Sequence, residues 1–269
     1  MIKLKYILQE SMDKKELSLE EAVEIFKKNN KSYTGYRKHI FRGTRGLFAD
    51  FAYVRPSTSE RKSANTTNYY TLLMSNLPAW EKYPKRNRSM ICSTNFHNAK
   101  SYGGEHDNLY HVFPKDGAKI GVCPENDIWW SFALPNKHRQ DMQITNDYFE
   151  DIVRAYNELS GFDISAYEFT YDNLLQIFKF ITENRKMFEY KLKEQNYVFW
   201  EWINAYPEMS FEKYINDIFL NPKFNRFQLV IYGPKFPELD YTHEVWTDAD
   251  CLLVHEDSIK EFKKAVGLF

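Results

Sequence analysis

Cysteine is scarce in this 269-residue sequence: three occur, Cys92, Cys123 and Cys251, far apart from one another. An odd number with no paired spacing excludes a disulfide framework and matches reduced thiols in a cytoplasmic setting. An excess of either charge is missing too, since 36 basic residues face 37 acidic ones for a net charge of -1. That balance argues against a general polyanion binder. No apolar run approaches the length of a membrane span, and the N-terminus is amphipathic rather than signal-like. The chain therefore reads as soluble and unexported, with no membrane partner. Common catalytic signatures are absent as well. No Gly-x-Gly-x-x-Gly follows a strand, no glycine-rich loop ends in Gly-Lys-Ser/Thr, and no Gly-x-Ser-x-Gly elbow occurs. Cys92, His97, His106 and His111 cluster in sequence, but their spacings match no common zinc arrangement, so no metal is expected.

Aromatic residues, in contrast, are plentiful: 19 Tyr, 21 Phe and 6 Trp make up 17% of the chain. Large flat side chains fill a core, and they also line clefts that stack on planar ligands. A local basic run, Lys82-Tyr83-Pro84-Lys85-Arg86-Asn87-Arg88, reads first as a solvated loop and second as a phosphate or nucleic-acid contact.

Pattern along the chain divides it into four parts. Residues 1–36 read as an N-terminal helical segment, with Ser18 and Glu21 forming a capping box ahead of Leu19, Ala22, Val23 and Phe26. Residues 37–144 carry short apolar runs that predict strands over His39–Arg42, Phe51–Arg55, Ser89–Ser93, Tyr110–Phe113 and Lys119–Val122, while Asn65–Ser75 fits a helix or an extended segment. Residues 145–224 read as a helical insertion, with helices over Asp147–Leu159, Tyr171–Glu194 (divided near Asn184-Arg185-Lys186) and Phe211–Leu220. Residues 225–269 return to strands over Phe227–Tyr232, Thr242–Trp246 and Cys251–His255, then close with a helix over Asp257–Val266 capped by Asp257. The expected class is α+β.

Three segments stand out chemically. In Ile40-Phe41-Arg42-Gly43-Thr44-Arg45-Gly46 an apolar strand delivers an arginine, and glycine follows where backbone can approach a ligand. Arginine suits bidentate phosphate recognition, although at a strand end it also serves as a surface salt bridge. In Met90-Ile91-Cys92-Ser93-Thr94-Asn95 a strand ends in three hydrogen-bonding side chains, which either cap the next helix or face a polar ligand. In Tyr241-Thr242-His243-Glu244-Val245-Trp246 strand alternation puts Thr242, Glu244 and Trp246 on one face. A carboxylate beside tryptophan suggests a lined cleft; an edge-strand glutamate is the plainer alternative.

This order, Arg then Ser-Thr then Glu on successive strand ends, resembles the ADP-ribosyltransferase superfamily, in its arginine–serine–glutamate branch. Phe41-Arg42-Gly43 matches the first motif, Ser93-Thr94-Asn95 the second with Asn in its third place, and Glu244 with Cys251–Val254 the third. Thr242 departs from the Glu or Gln that arginine-modifying members carry two residues before the catalytic Glu. The resemblance covers about half the chain. It implies a split β-sheet core, NAD as a consumed substrate without a metal, and a mono-ADP-ribosyltransferase acting on a host macromolecule, protein ahead of nucleic acid. Glu244, Arg42 and Ser93 would be catalytic and would have to line one cleft. Gly43, Arg45, Thr94 and Asn95 would hold NAD, with Tyr69, Tyr70, Tyr102 or Trp246 stacking on nicotinamide. The general texture also resembles proteins of tailed bacteriophages, which implies action in the host cytoplasm. Leu8-Gln9-Glu10 fits a Leu-x-Glu head-maturation cleavage pattern and hints at packaging in the phage head. A NAD glycohydrolase on the same fold, or a non-catalytic phage structural or host-binding protein anchored by Phe199-Trp200-Glu201-Trp202, are the alternatives.

Overall fold

The backbone is described, in a computed structural model, for residues 13–33, 40–44, 47, 49–58, 60, 68–102, 108–132, 142–164, 169–192, 196–237, 239 and 242–268, and the side chains for the same residues except 129 and 142–146. In chain order these residues form β1 (Asp13–Glu16), α1 (Leu19–Asn29), β2 (Phe41–Gly43), β3 (Phe51–Arg55), α2 (Tyr69–Asn76), β4 (Met90–Ser93), α3 (Phe96–Ser101), β5 (Leu109–Pro114) and β6 (Lys119–Val122). There follow α4 (Met142–Ser160), α5 (Tyr171–Glu183), α6 (Arg185–Leu192), α7 (Tyr197–Ala205), α8 (Phe211–Tyr214), β7 (Gln228–Ile231), β8 (Glu244–Thr247), β9 (Cys251–His255) and α9 (Ile259–Ala265). The class is mixed α+β. The chain divides into a sheet unit, residues 1–61, 82–127 and 227–269, and a helical unit, residues 62–81 and 128–226. The helical unit thus takes residues 62–81 as well as the 145–224 stretch expected as an insertion.

In the sheet unit nine strands form one antiparallel sheet in the order β1-β3-β9-β5-β2-β4-β8-β6-β7. Its two halves meet where β2 pairs with β4, through the register Phe41↔Ser93. Residues paired across an antiparallel register share a face, so the registers sort the side chains. One face carries Ala52, Val54, Tyr110, Val112, Cys92, Met90, Val245, Val122 and Leu253, which form the larger apolar core. The other carries Phe51, Phe113, Leu252 and Val254, covered by Ala22 and Phe26 of α1 and by Ile259 and Phe262 of α9. Farther along that face Phe41 and Leu109 pack against Ala99 of α3.

The expected capping box starts α1: Ser18 Oγ accepts from Glu21 N–H at 3.2 Å, and Ser18 N–H donates to the Glu21 carboxylate at 2.9 Å. Residues 13–16 depart from the helix expected there. Their charged Asp-Lys-Lys-Glu run pairs with β3 at the sheet edge, where exposed polar side chains are tolerated. The closing helix also begins later than expected, since a 3₁₀ turn over Glu256–Ser258 precedes it and His255 Nδ1, not Asp257, accepts the capping bond.

The helical unit spends the aromatic content on its own core. Phe149, Phe178, Phe188, Phe199, Trp202, Phe211 and Tyr214 are all fully buried. The division near Asn184 is present, with Asn184 capping α5 and Arg185 opening α6. Arg185 lies 4.8 Å from the centroid of the Trp202 ring and donates to the carbonyls of Ile203 and Pro207. The segment Phe211–Leu220, expected as one helix, is α8 followed by a π-helical turn over Ile215–Phe219. No helix among the described residues is long and apolar enough to cross a membrane.

Candidate functional site

Glu244 opens β8 directly opposite Ser93 at the end of β4. Its neighbours follow from the strand ends around it. Thr94 N–H donates to the His243 carbonyl at 3.0 Å, and Thr94 Oγ1 accepts from His243 N–H at 2.9 Å. His243 Nδ1 meets the Cys123 carbonyl at 2.8 Å. On the other side of β8, Cys123 N–H donates to the Glu244 carbonyl and Glu244 N–H to the Glu125 carbonyl, at 2.9 and 3.1 Å. The backbone of Glu244 is thereby held from both sides.

The carboxylate itself is met by a guanidinium that sequence patterning assigned to a solvated loop. Arg86 Nη2 donates to Glu244 Oε1 at 2.7 Å, with both side chains about nine-tenths buried (10% and 12% exposed). The Cys123 thiol reaches the same oxygen at 3.8 Å. Arg86 rests over the indole of Trp246, 5.5 Å from Cζ to the ring centroid. The indole is fixed in turn. Its N–H donates to the Pro84 carbonyl at 3.0 Å, Tyr83 stacks on it at 6.2 Å, and Phe227 meets it edge-on at 6.1 Å. Gly121 lies opposite Trp246 in the register because nothing larger fits: a Cβ there would stand 2.3 Å from the ring. The signal that could have located Arg86 was present, as it belongs to the local basic run noted in the sequence.

Tyr102, at the end of α3, stands near Glu244 with its ring 58% exposed. Its hydroxyl bonds Asp127, and its ionisation is pushed upward by burial first, then by the charges of Asp127 and Glu244. Ser93 is buried and its Oγ accepts from Asn95 N–H at 3.0 Å. Asn95 in turn caps α3, its Oδ1 accepting from Asn98 N–H at 3.1 Å. Of the two meanings open to the Ser-Thr-Asn run, the structure shows capping for Asn95 and strand-end bonding for Thr94.

Arg42, Ser93 and Glu244 lie on three adjacent strands, β2, β4 and β8. Their side chains do not all share a face. The register aligns Phe41, not Arg42, with Ser93 and Glu244, while Arg42 pairs with Tyr110 on the opposite face. The Arg42 guanidinium donates to the Ile91 carbonyl and so ties β2 to β4. Expecting all three in one cleft therefore needs correction: alternation along a three-residue strand puts an arginine next to Phe41 on the far side. Gly43 follows in β2, paired with Leu109. Arg45 lies outside the described residues, as do Tyr241, His106 and the Leu8-Gln9-Glu10 run.

The proposed stacking partners separate in the same way. Tyr69 and Tyr70 are buried in the core of the helical unit, where both pack on Phe149 and Tyr70 also packs on Phe132. Trp246 is 1% exposed and serves as the floor under Arg86. Tyr102 alone of the four is exposed. Among the described residues no cluster of His, Cys, Asp and Glu could hold a metal ion. No protein-family model, curated protein or solved structure matches this chain.

Proposed function

We propose that the protein consumes NAD as an ADP-ribosyltransferase, with Glu244 as its catalytic carboxylate. The observation that carries this reading is the convergence of the three motif strands. Segments widely separated in sequence supply β2, β4 and β8, which are immediate neighbours, and Ser93 pairs with Glu244 across two of them. The pairing Phe41↔Ser93 sets the first two motif strands side by side within the one sheet.

Breaking the bond between ribose C1′ and nicotinamide passes through an oxocarbenium-like state, as in glycoside cleavage. Nicotinamide leaves with the bonding electrons, and an acceptor nucleophile closes the new bond at C1′ and loses its proton. A buried, fixed carboxylate such as Glu244 stabilises the developing positive charge without reorganising. Ser93 lies on the same face to orient the ribose, and Tyr102 offers an exposed ring for the nicotinamide. The phosphate clamp first assigned to Arg42 is not carried forward, because that guanidinium is on the opposite face and holds β4.

Glu244→Gln preserves size and removes the charge, so nicotinamide release from NAD should fall about 10²-fold or more while the fold persists. Release at the wild-type rate in this variant would overturn the assignment. Thr242 stands where arginine-modifying members carry Glu or Gln, and this favours a second reading in which water is the acceptor. Labelled NAD in host lysate distinguishes the two, since transfer leaves label on a macromolecule and hydrolysis leaves free ADP-ribose. A melting temperature unmoved by millimolar NAD would instead favour a binding protein without catalysis.

A further inference from the structure

We propose that Arg86 is the positioning residue of Glu244, holding that carboxylate in one orientation for the NAD cleavage assigned above, on which the inference rests. The pair is short, 2.7 Å, and both partners are largely removed from water. In such surroundings the desolvation of two charges offsets most of their attraction, so fold stability is a poor reason to keep the pair. A second observation points the same way. Arg86 Nη1 is buried with no hydrogen-bond partner among the described residues, although a guanidinium serving stability alone would have its donors met.

The segment that carries Arg86 is fastened along its length. Tyr83 Oη donates to the Phe227 carbonyl at 3.1 Å, Lys85 N–H to the Asp248 carboxylate at 3.2 Å, and Ser89 Oγ to the Lys85 carbonyl at 2.7 Å. Trp246 anchors Pro84 and supports the guanidinium from below. A segment so held is a fixed mount, not a latch that swings away when substrate arrives. Among the described residues, the charged and titratable groups near Glu244 include Arg86 from this segment, His243 just before Glu244 in the chain, Cys123 after β6, and Tyr102 and Asp127.

Two variants test this, each compared with wild type for kcat and KM of nicotinamide release. Arg86→Met should lower kcat about 10²-fold with little change in KM for NAD, because the orientation lost matters in the transition state. Arg86→Lys keeps the charge without the flat fork and should recover part of kcat. Unchanged kcat in Arg86→Met would overturn the proposal, as would a rise in KM alone, which marks simple substrate binding. Near-ultraviolet circular dichroism checks folding. If the Met variant does not fold, unchanged kcat in Arg86→Lys overturns the proposal in its place. A wild-type protein that releases no nicotinamide defeats the NAD reading and this proposal together, whereas an active wild type with an indifferent Arg86 removes this proposal alone.

Discussion

Glu244 in the sheet unit and Glu201 in the helical unit are both carboxylates withdrawn from water, yet their surroundings differ in kind. Glu201 is 1% exposed and accepts from the Tyr214 hydroxyl at 2.7 Å, within a core of aromatic rings. Burial raises its pKa, and the Tyr214 hydrogen bond only partly counters that. Glu244 faces a permanently charged guanidinium instead, beside an exposed tyrosine and a buried serine. A phenol partner suits a carboxyl that knits helices together. A guanidinium partner supplies a charge-assisted bond instead. The two carboxylates, both largely withdrawn from water, differ in the charge of the group that meets them.

The sharpest way to break the comparison is through the floor of the Glu244 site. Gly121→Val sets side-chain atoms into the Trp246 ring, where even a Cβ stands 2.3 Å away. Valine ordinarily favours a strand, but here the overpacking should cost about 3 kcal/mol in urea unfolding and disturb the Arg86 mount. Unchanged stability would show that Trp246 is not the fixed support described. On the helical side, Tyr214→Phe keeps the ring and removes the hydroxyl from a buried carboxyl, for a loss of about 2 kcal/mol by the same measurement. NAD cleavage should be unaffected, and a large loss of activity in a folded variant would contradict the structural role given to this pair.

Asn95→Ala separates capping from ligand binding next to Ser93. Loss of the α3 cap should cost about 1 kcal/mol and leave KM for NAD unmoved. A raised KM at unchanged stability would restore Asn95 to the ligand. The smallest effect is on pH. The folded-state pKa of Glu201 is raised above its unfolded value, so its contribution is fully present below the unfolded pKa of about 4.3 and is lost as pH rises through the folded value. Glu201→Gln should therefore flatten the stability profile across that window. A profile identical to wild type would mean that Glu201 does not titrate differently on folding.

Local signals were legible in the amino-acid sequence. The Ser18–Glu21 box, the strands Phe51–Arg55, Lys119–Val122 and Cys251–His255, and the break at Asn184 all follow from nearest-neighbour chemistry: caps, alternation and periodicity. So does the placing of Glu244 and Trp246 on one face of their strand, since alternation is a property of the strand itself. What alternation could not give was register between strands. It takes the pairing Phe41↔Ser93 to turn Arg42 away from Glu244, and a pairing between distant segments leaves no mark within either one. Tyr69 and Tyr70 became core for the same reason, their rings claimed by Phe149 from far along the chain. Arg86 is the clearest case. In sequence it is one cation among several in a polar run; only the folded strands bring Glu244 and Trp246 beneath it and exclude the water that would otherwise screen the pair.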